Sequence, residues 1–278
     1  MNVFAKMPPA ARQSALGLIM LALLLAGTAG AWVIVKTRSG PRPGEIWYLV
    51  TNADGRPAGW KVIQRAEGGP LGLEGYEVVG GRLDEETICS RWQLDAQASR
   101  GKYASAVPLP GGQGVIVTRI DYRKPEVTIR QSLLNQGRET RVGQVRAAVP
   151  ADYVPEGRLR DIILQVARTG DAFYGTMVLD EQAKLVNLAM EAQDRQARAL
   201  AGQGLELEVV TQTILVEGLS LRPRRHYVAK DGTIPLIEDL DRDQVERTLT
   251  LVPIEEVERL YPTAPAQRAA ALDRYGWE

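Results

Sequence analysis

Residues 45–64 read "EIWYLVTNADGRPAGWKVIQ". Two runs of strand-forming side chains flank Asp54-Gly55, a pair that reverses the chain readily because both residues tolerate positive φ. The stretch is therefore expected to be a β-hairpin. Trp47 and Tyr48 are successive residues of one strand, so they must point to opposite faces. Trp60 is placed to meet one of them across the hairpin.

Working outward, the same alternating pattern continues through "GYEVVGG", "TICSRWQLDAQ", "GKYASAVPL", "QGVIVTRIDY", "EVTIRQSLL" and "ETRVGQVRAAV". Val115, Val117 and Arg119 share one face of a strand, and Ile116, Thr118 and Ile120 share the other. Glycine, proline or asparagine bounds each segment, which predicts a meandering antiparallel sheet. "VPADYVPEG" (149–157) breaks the pattern. Leu159, Ile162, Ile163 and Val166 then recur at helical spacing in "RLRDIILQVART", which Gly170 ends. One amphipathic helix among strands is expected to cross a face of the sheet.

The second half repeats the style. "DAFYGTMVLD" and "LELEVVTQTILVEG" read as strands, "RRHYVAKDGTIPLIED" as a hairpin around Asp231-Gly232, and "VERTLTLVP" as the last strand. Residues 181–201 are ambiguous: propensity favours a helix, and no glycine or proline interrupts them before Gly202. "IEEVERLYP" reads as a short helix. The fold class is mainly β (α+β), a curled antiparallel sheet with one packed mid-chain helix.

Before this domain stands a different kind of segment. Residues 15–35 are 21 consecutive residues without a charge, ending in "WVIV". As a helix they reach about 31 Å, enough for a bilayer core. The reading adopted is a transmembrane signal-anchor, with Trp32 at the interface. The competing reading is a cleaved signal peptide, with Lys6 and Arg12 as its basic region and 29–31 as its small-residue site. The expected organisation is a tail (1–14), the anchor (15–35), a Pro/Gly linker (36–44), a β-rich exported domain (45–252) and a helical tail (253–278). Flanking charges barely discriminate orientation; the exported side is the expectation for the main domain.

Charge and composition exclude several functions. Residues 1–42 hold five basic residues and no acid, so the neutral chain leaves −5 on residues 43–278. That balance lacks the footprint of a nucleic-acid binder. Cys89 is the one cysteine, which rules out an intrachain disulfide or a multi-cysteine metal site; it is expected to be a buried core residue. The chain has no G-x-S-x-G elbow, no phosphate-binding P-loop and no H-E-x-x-H. The glycine-rich "PGGQGVIV" (110–117) is read as a turn. The single histidine, His226, lies among arginines and is read as a surface residue at a strand start rather than a catalytic base. Asp239, Asp241 and Asp243 resemble the opening of a calcium loop, but Gln244 and Thr250 stand where its glycine and glutamate belong. No metal and no cofactor are expected.

The element order carries one resemblance. A curled sheet, a proline-marked break into one helix, and a late "YVAKDGTIPLI" hairpin resemble the LolA/LolB-type lipoprotein carriers and related exported β-rich domains, over residues 45–252. The resemblance implies that 181–201 are largely strand. It transfers no binding residue onto this chain.

The functional expectation is a membrane-anchored, non-catalytic envelope protein whose sheet binds an apolar ligand, lipid or lipoprotein-like, or an envelope protein. The alternative is a scaffold subunit of a membrane complex; an enzyme built on dispersed carboxylates ranks last. Ligand-binding candidates are Trp47, Trp60 and Trp92, as aromatic surface in the first sheet, and Arg224 and Arg225 of a basic cluster with Arg222 that suits phosphate or lipid headgroups. The competing role for that cluster is to guard a sheet edge.

Overall fold

The computed structural model describes residues 42–69, 72–81, 87–179, 182–200, 202–216 and 219–274. The expected anchor (15–35) lies outside them. Among the described residues no helix is long and apolar enough to cross a membrane.

The first meander comprises β1 (Glu45–Asn52), β2 (Pro57–Gly69), β3 (Gly72–Gly80), β4 (Ile88–Asp95), β5 (Arg100–Pro108), β6 (Val115–Arg123), β7 (Glu126–Asn135) and β8 (Arg138–Ala148). The second comprises β9 (Phe173–Leu179), β10 (Lys184–Leu200), β11 (Gln203–Val216), β12 (Leu219–Val228), β13 (Leu236–Asp241) and β14 (Gln244–Leu251). All fourteen join one antiparallel sheet in the order β8 to β1, then β14 to β9. The Asp-Gly turns behave as the sequence requires: Gly55 and Gly232 take φ of 77° and 80°. Asp54 and Asp231 accept the backbone N–H two residues on.

Each strand pairs with its neighbours in sequence except at two places. β1 pairs with β14, Tyr48 opposite Leu251, which joins the two ends of the domain. β8 and β9 are the two free ends of the sheet, so the sheet curls without closing. The chain covers the β9 edge with its own connection. The Val154 N–H donates to Thr176 O at 2.7 Å, and the Thr176 N–H donates to Asp152 O at 3.2 Å. Such cover removes a template for unwanted strand pairing.

Helix α1 (Leu159–Thr169) follows that connection. Ile163 and Val166 bury its apolar stripe against Met177, Leu188, Val210 and Ile237 of the sheet. Asp161 in its first turn takes both Arg65 NH groups of β2, at 2.5 and 2.8 Å. Gly170, at φ 76°, closes it with an N–H bond to Val166 O. Two more helices, α2 (Ile254–Leu260) and α3 (Ala264–Arg274), pack on the opposite face. There Val257, Ala264, Ala271 and Leu272 meet Trp47, Trp60, Tyr76, Val78 and Cys89.

Two sequence readings resolve or change. Residues 184–200 are strand β10 despite helical propensity. β9 and β11 pair with β10 on its two sides, and Val186, Leu188 and Met190 alternate into the core. Tertiary pairing overrides a weak local preference here. The basic cluster does not guard an edge, because β12 lies between β11 and β13.

Candidate functional site

Strand parity sorts the side chains of β1–β4. Trp47, Trp60, Val62, Tyr76 and Cys89 point outward beneath α2 and α3, while Tyr48, Lys61, Glu77 and Trp92 point inward. Inside the curl, between the sheet and α1, lies a cavity of about 310 Å³. Side chains of ten strands reach it, from β1–β6, β9 and β11–β13. That size sits at the small end of ordinary ligand pockets.

The walls are mostly apolar. Ile46, Ile63 and Leu94 come from the first meander, Met177, Ile214 and Ile237 from the second, and Leu159 and Ile163 from α1. Aromatic rings add to one end: Tyr122 and Tyr153 meet edge-on with centroids 5.4 Å apart, near Trp92. Gly157 makes room for that indole, since a Cβ there would fall 2.4 Å from a Trp92 ring carbon.

The other end is polar, with Lys61, Gln212 and His226 buried and Glu77 and Arg224 half-buried. Lys61 and Glu77 pair at 2.8 Å. Arg224 donates from Nε to Asp239 at 2.6 Å. His226 bonds through Nε2 to Gln212 Oε1 at 2.9 Å. These residues come from β2 and β3 on one side and β11, β12 and β13 on the other. Only the curl brings them together. Burial first, then the charges of Arg224 and Lys61, hold the His226 imidazole well below its usual pKa, so it is neutral. Burial pushes the Tyr48 phenol up to about 12; its hydroxyl donates to Ile234 O at 3.0 Å.

Three buried polar atoms of the cavity lining, Trp92 Nε1 and Tyr122 OH at the aromatic end and His226 Nδ1 at the polar end, have no hydrogen-bond partner among the described residues. Folded proteins seldom leave such groups unsatisfied, and their concentration on one cavity suits a bound polar group.

Of the residues chosen from sequence, Trp92 and Arg224 line the cavity. Trp47 and Trp60 do not: they pack on each other at 5.5 Å in the outer core. Arg225 faces outward toward Glu238, at 3.8 Å. His226 is not a surface residue but 5% exposed within β12. The arginines around it suggested solvent, whereas alternation turns positions 224 and 226 inward under α1. Nothing local in the sequence marks Lys61, Glu77, Arg160, Tyr122 or Gln212; a charged residue at an inward position of an apolar strand, as at Lys61, is the nearest signal. Asp239 is engaged by Arg224, and Asp243 sits in the β13–β14 turn at φ 68°. Cys89 is buried at 2% exposure, and burial pushes its thiol up to about 11.

Fold and cavity together define a class: a β-rich, barrel-like shell, unclosed, with a helix across its hollow. One comparison agrees at that level. The structure superposes on a β-barrel-like protein of a domain of unknown function, DUF1849, from Brucella abortus with a TM-score of 0.53 and 11% identity, covering 75% of this chain and 94% of that one. That likeness shows a shared fold. A protein with a YmcC-like fold from Bacteroides fragilis, described as exported, aligns with a TM-score of 0.31 and 10% identity over 76% of this chain and 94% of that one. No family model and no curated protein matches the sequence.

Proposed function

We propose that this protein is a membrane-anchored, non-catalytic binding protein of the cell envelope, and that the cavity under α1 holds an apolar or amphipathic small molecule. One observation carries the reading: a sheet of fourteen strands curls around a hollow with mostly apolar walls, and three buried polar atoms on that hollow lack partners among the described residues. A purely structural core would be packed solid and its polar groups satisfied. The resemblance in element order to lipoprotein carriers fits the same reading. Anchor and exported placement rest on residues 15–35.

Native mass spectrometry of the full chain after incubation with a lipid extract tests the binding half. A stoichiometric adduct that survives gentle activation supports it; bare protein throughout contradicts it. A mature N-terminus at Trp32, read by intact mass, would contradict the anchor. A scaffold role gains weight if the chain takes up nothing and instead co-purifies with a fixed set of membrane proteins.

A further inference from the structure

We propose that the cavity takes a single-chain amphiphile with an anionic head, its tail along the aliphatic walls and its head at the pole formed by Lys61, Arg160, Arg224 and His226. The inference rests on the reading of the cavity as a binding site and specifies its occupant.

Size argues for one chain. A cavity of about 310 Å³ has room for one slender apolar group. Charge argues for the head. The wall carries four cations, Lys61, Arg65, Arg160 and Arg224, against two carboxylates, Glu77 and Glu156. Asp161 and Asp239 hold Arg65 and Arg224 from outside the lining, balancing their charge while the guanidinium donors still line the hollow. Arg160 meets a carbonyl, Gly232 O at 3.2 Å, rather than an acid. Lysine has three donors and arginine five, so one bond to Asp239 leaves Arg224 with donors to give.

The pole is one cluster. Glu77 pairs with Lys61 and bears electrostatically on both Tyr48 and Arg224; Arg160 also acts on Tyr48, and Arg224 and Lys61 both act on His226. With Gln212 Oε1 as acceptor, His226 carries its proton on Nε2 and presents the Nδ1 lone pair, which has no partner among the described residues. A singly protonated phosphate head satisfies both kinds of group at once: its charged oxygens accept from the cations and its remaining O–H donates to Nδ1, whereas a carboxylate satisfies the cations alone. Charge-assisted bonds of this kind are strongest where water is excluded. A cationic head would be repelled.

The test uses the full chain and three photoreactive probes of equal length: a diazirine-bearing dodecanoate, the matching alcohol and the matching trimethylammonium. Cross-linked peptides are mapped by mass spectrometry. The acid is expected to label peptides carrying α1, β2 and β12, more strongly than the alcohol and far more strongly than the ammonium. Unlabelled dodecanoate or dodecyl phosphate should displace it, and the stronger competitor names the head chemistry. Arg160→Leu strands no carboxylate and should lower labelling by the acid about tenfold, with the alcohol unchanged. The paired change Lys61→Met with Glu77→Leu removes both members of an ion pair and should do the same. Equal labelling by all three heads, or acid labelling indifferent to both variants, would overturn the anionic head while leaving an apolar site standing. No labelling of these peptides by any probe would overturn the site itself.

Discussion

Arg268 of α3 donates its guanidinium to the carboxylate of Glu45, the first residue of β1, across 223 positions of sequence. The two side chains are 0% and 1% exposed. Tyr76 donates its hydroxyl to the same carboxylate. Trp47 Nε1 adds a bond at 3.3 Å and the Arg42 N–H another at 3.0 Å. The acid is thus satisfied by four donors, and the last helix is fastened to the first strand.

Removing one partner of a buried pair leaves a charge without compensation, which typically costs about 3–5 kcal/mol. Arg268→Leu is therefore expected to destabilise the domain by roughly that amount in denaturant melts. Glu45→Gln combined with Arg268→Met should recover much of the loss, since neither remaining group is charged. Equal stability of Arg268→Leu and wild type would show that the clasp contributes nothing.

His226 makes stability depend on pH in a window free of other histidines, because the chain has only one. Its folded pKa lies below the unfolded value, so the unfolded state binds the proton first. Stability is full above about pH 6.5 and falls as pH drops below it, with a slope of at most about 1.4 kcal/mol per pH unit. Arg224 and Lys61 face the ring and Gln212 bonds it. Thermal melts between pH 7.5 and 5.5 should show the decline, and His226→Gln should flatten it. A decline of equal slope in the variant would place its origin elsewhere.

The β13–β14 turn carries strain that a single substitution can relieve. Its two loop residues, Arg242 and Asp243, take φ of 46° and 68°. Asp241 pairs with Gln244, so the loop is the two-residue type that glycine fits best. Asp243→Gly is expected to stabilise by roughly 0.5–1 kcal/mol, net of glycine's own entropy cost. A lower melting temperature in the variant would contradict this.

Much of the fold is legible in the sequence because its signals are local. The Asp54-Gly55 and Asp231-Gly232 turns need only two residues of known dihedral preference. The spacing of Leu159, Ile162, Ile163 and Val166 needs only one helical face. What was not legible is set by distance. The pairing of Tyr48 with Leu251, the burial of β12 between neighbours and the curl that opposes Lys61 to His226 are properties of the closed-up sheet. Alternation put Trp47 and Tyr48 on opposite faces, but which face became the hollow was decided by α1 covering one side and α2 and α3 the other. The tryptophans were accordingly divided: Trp92 into the site, Trp47 and Trp60 into the outer core.

The central claim is that the hollow under α1 binds a ligand, and filling the hollow tests it most directly. Ile63 and Ile214 are half-buried on opposite walls of the cavity. Ile63→Trp and Ile214→Trp place bulk in the open space, where it disturbs packed neighbours least. Native mass spectra of the full chain exposed to the same lipid extract should show a one-to-one adduct for the wild type and its loss in both variants, with melting temperatures preserved. An adduct retained at wild-type occupancy in both filled variants, or none in the wild type, would contradict the account.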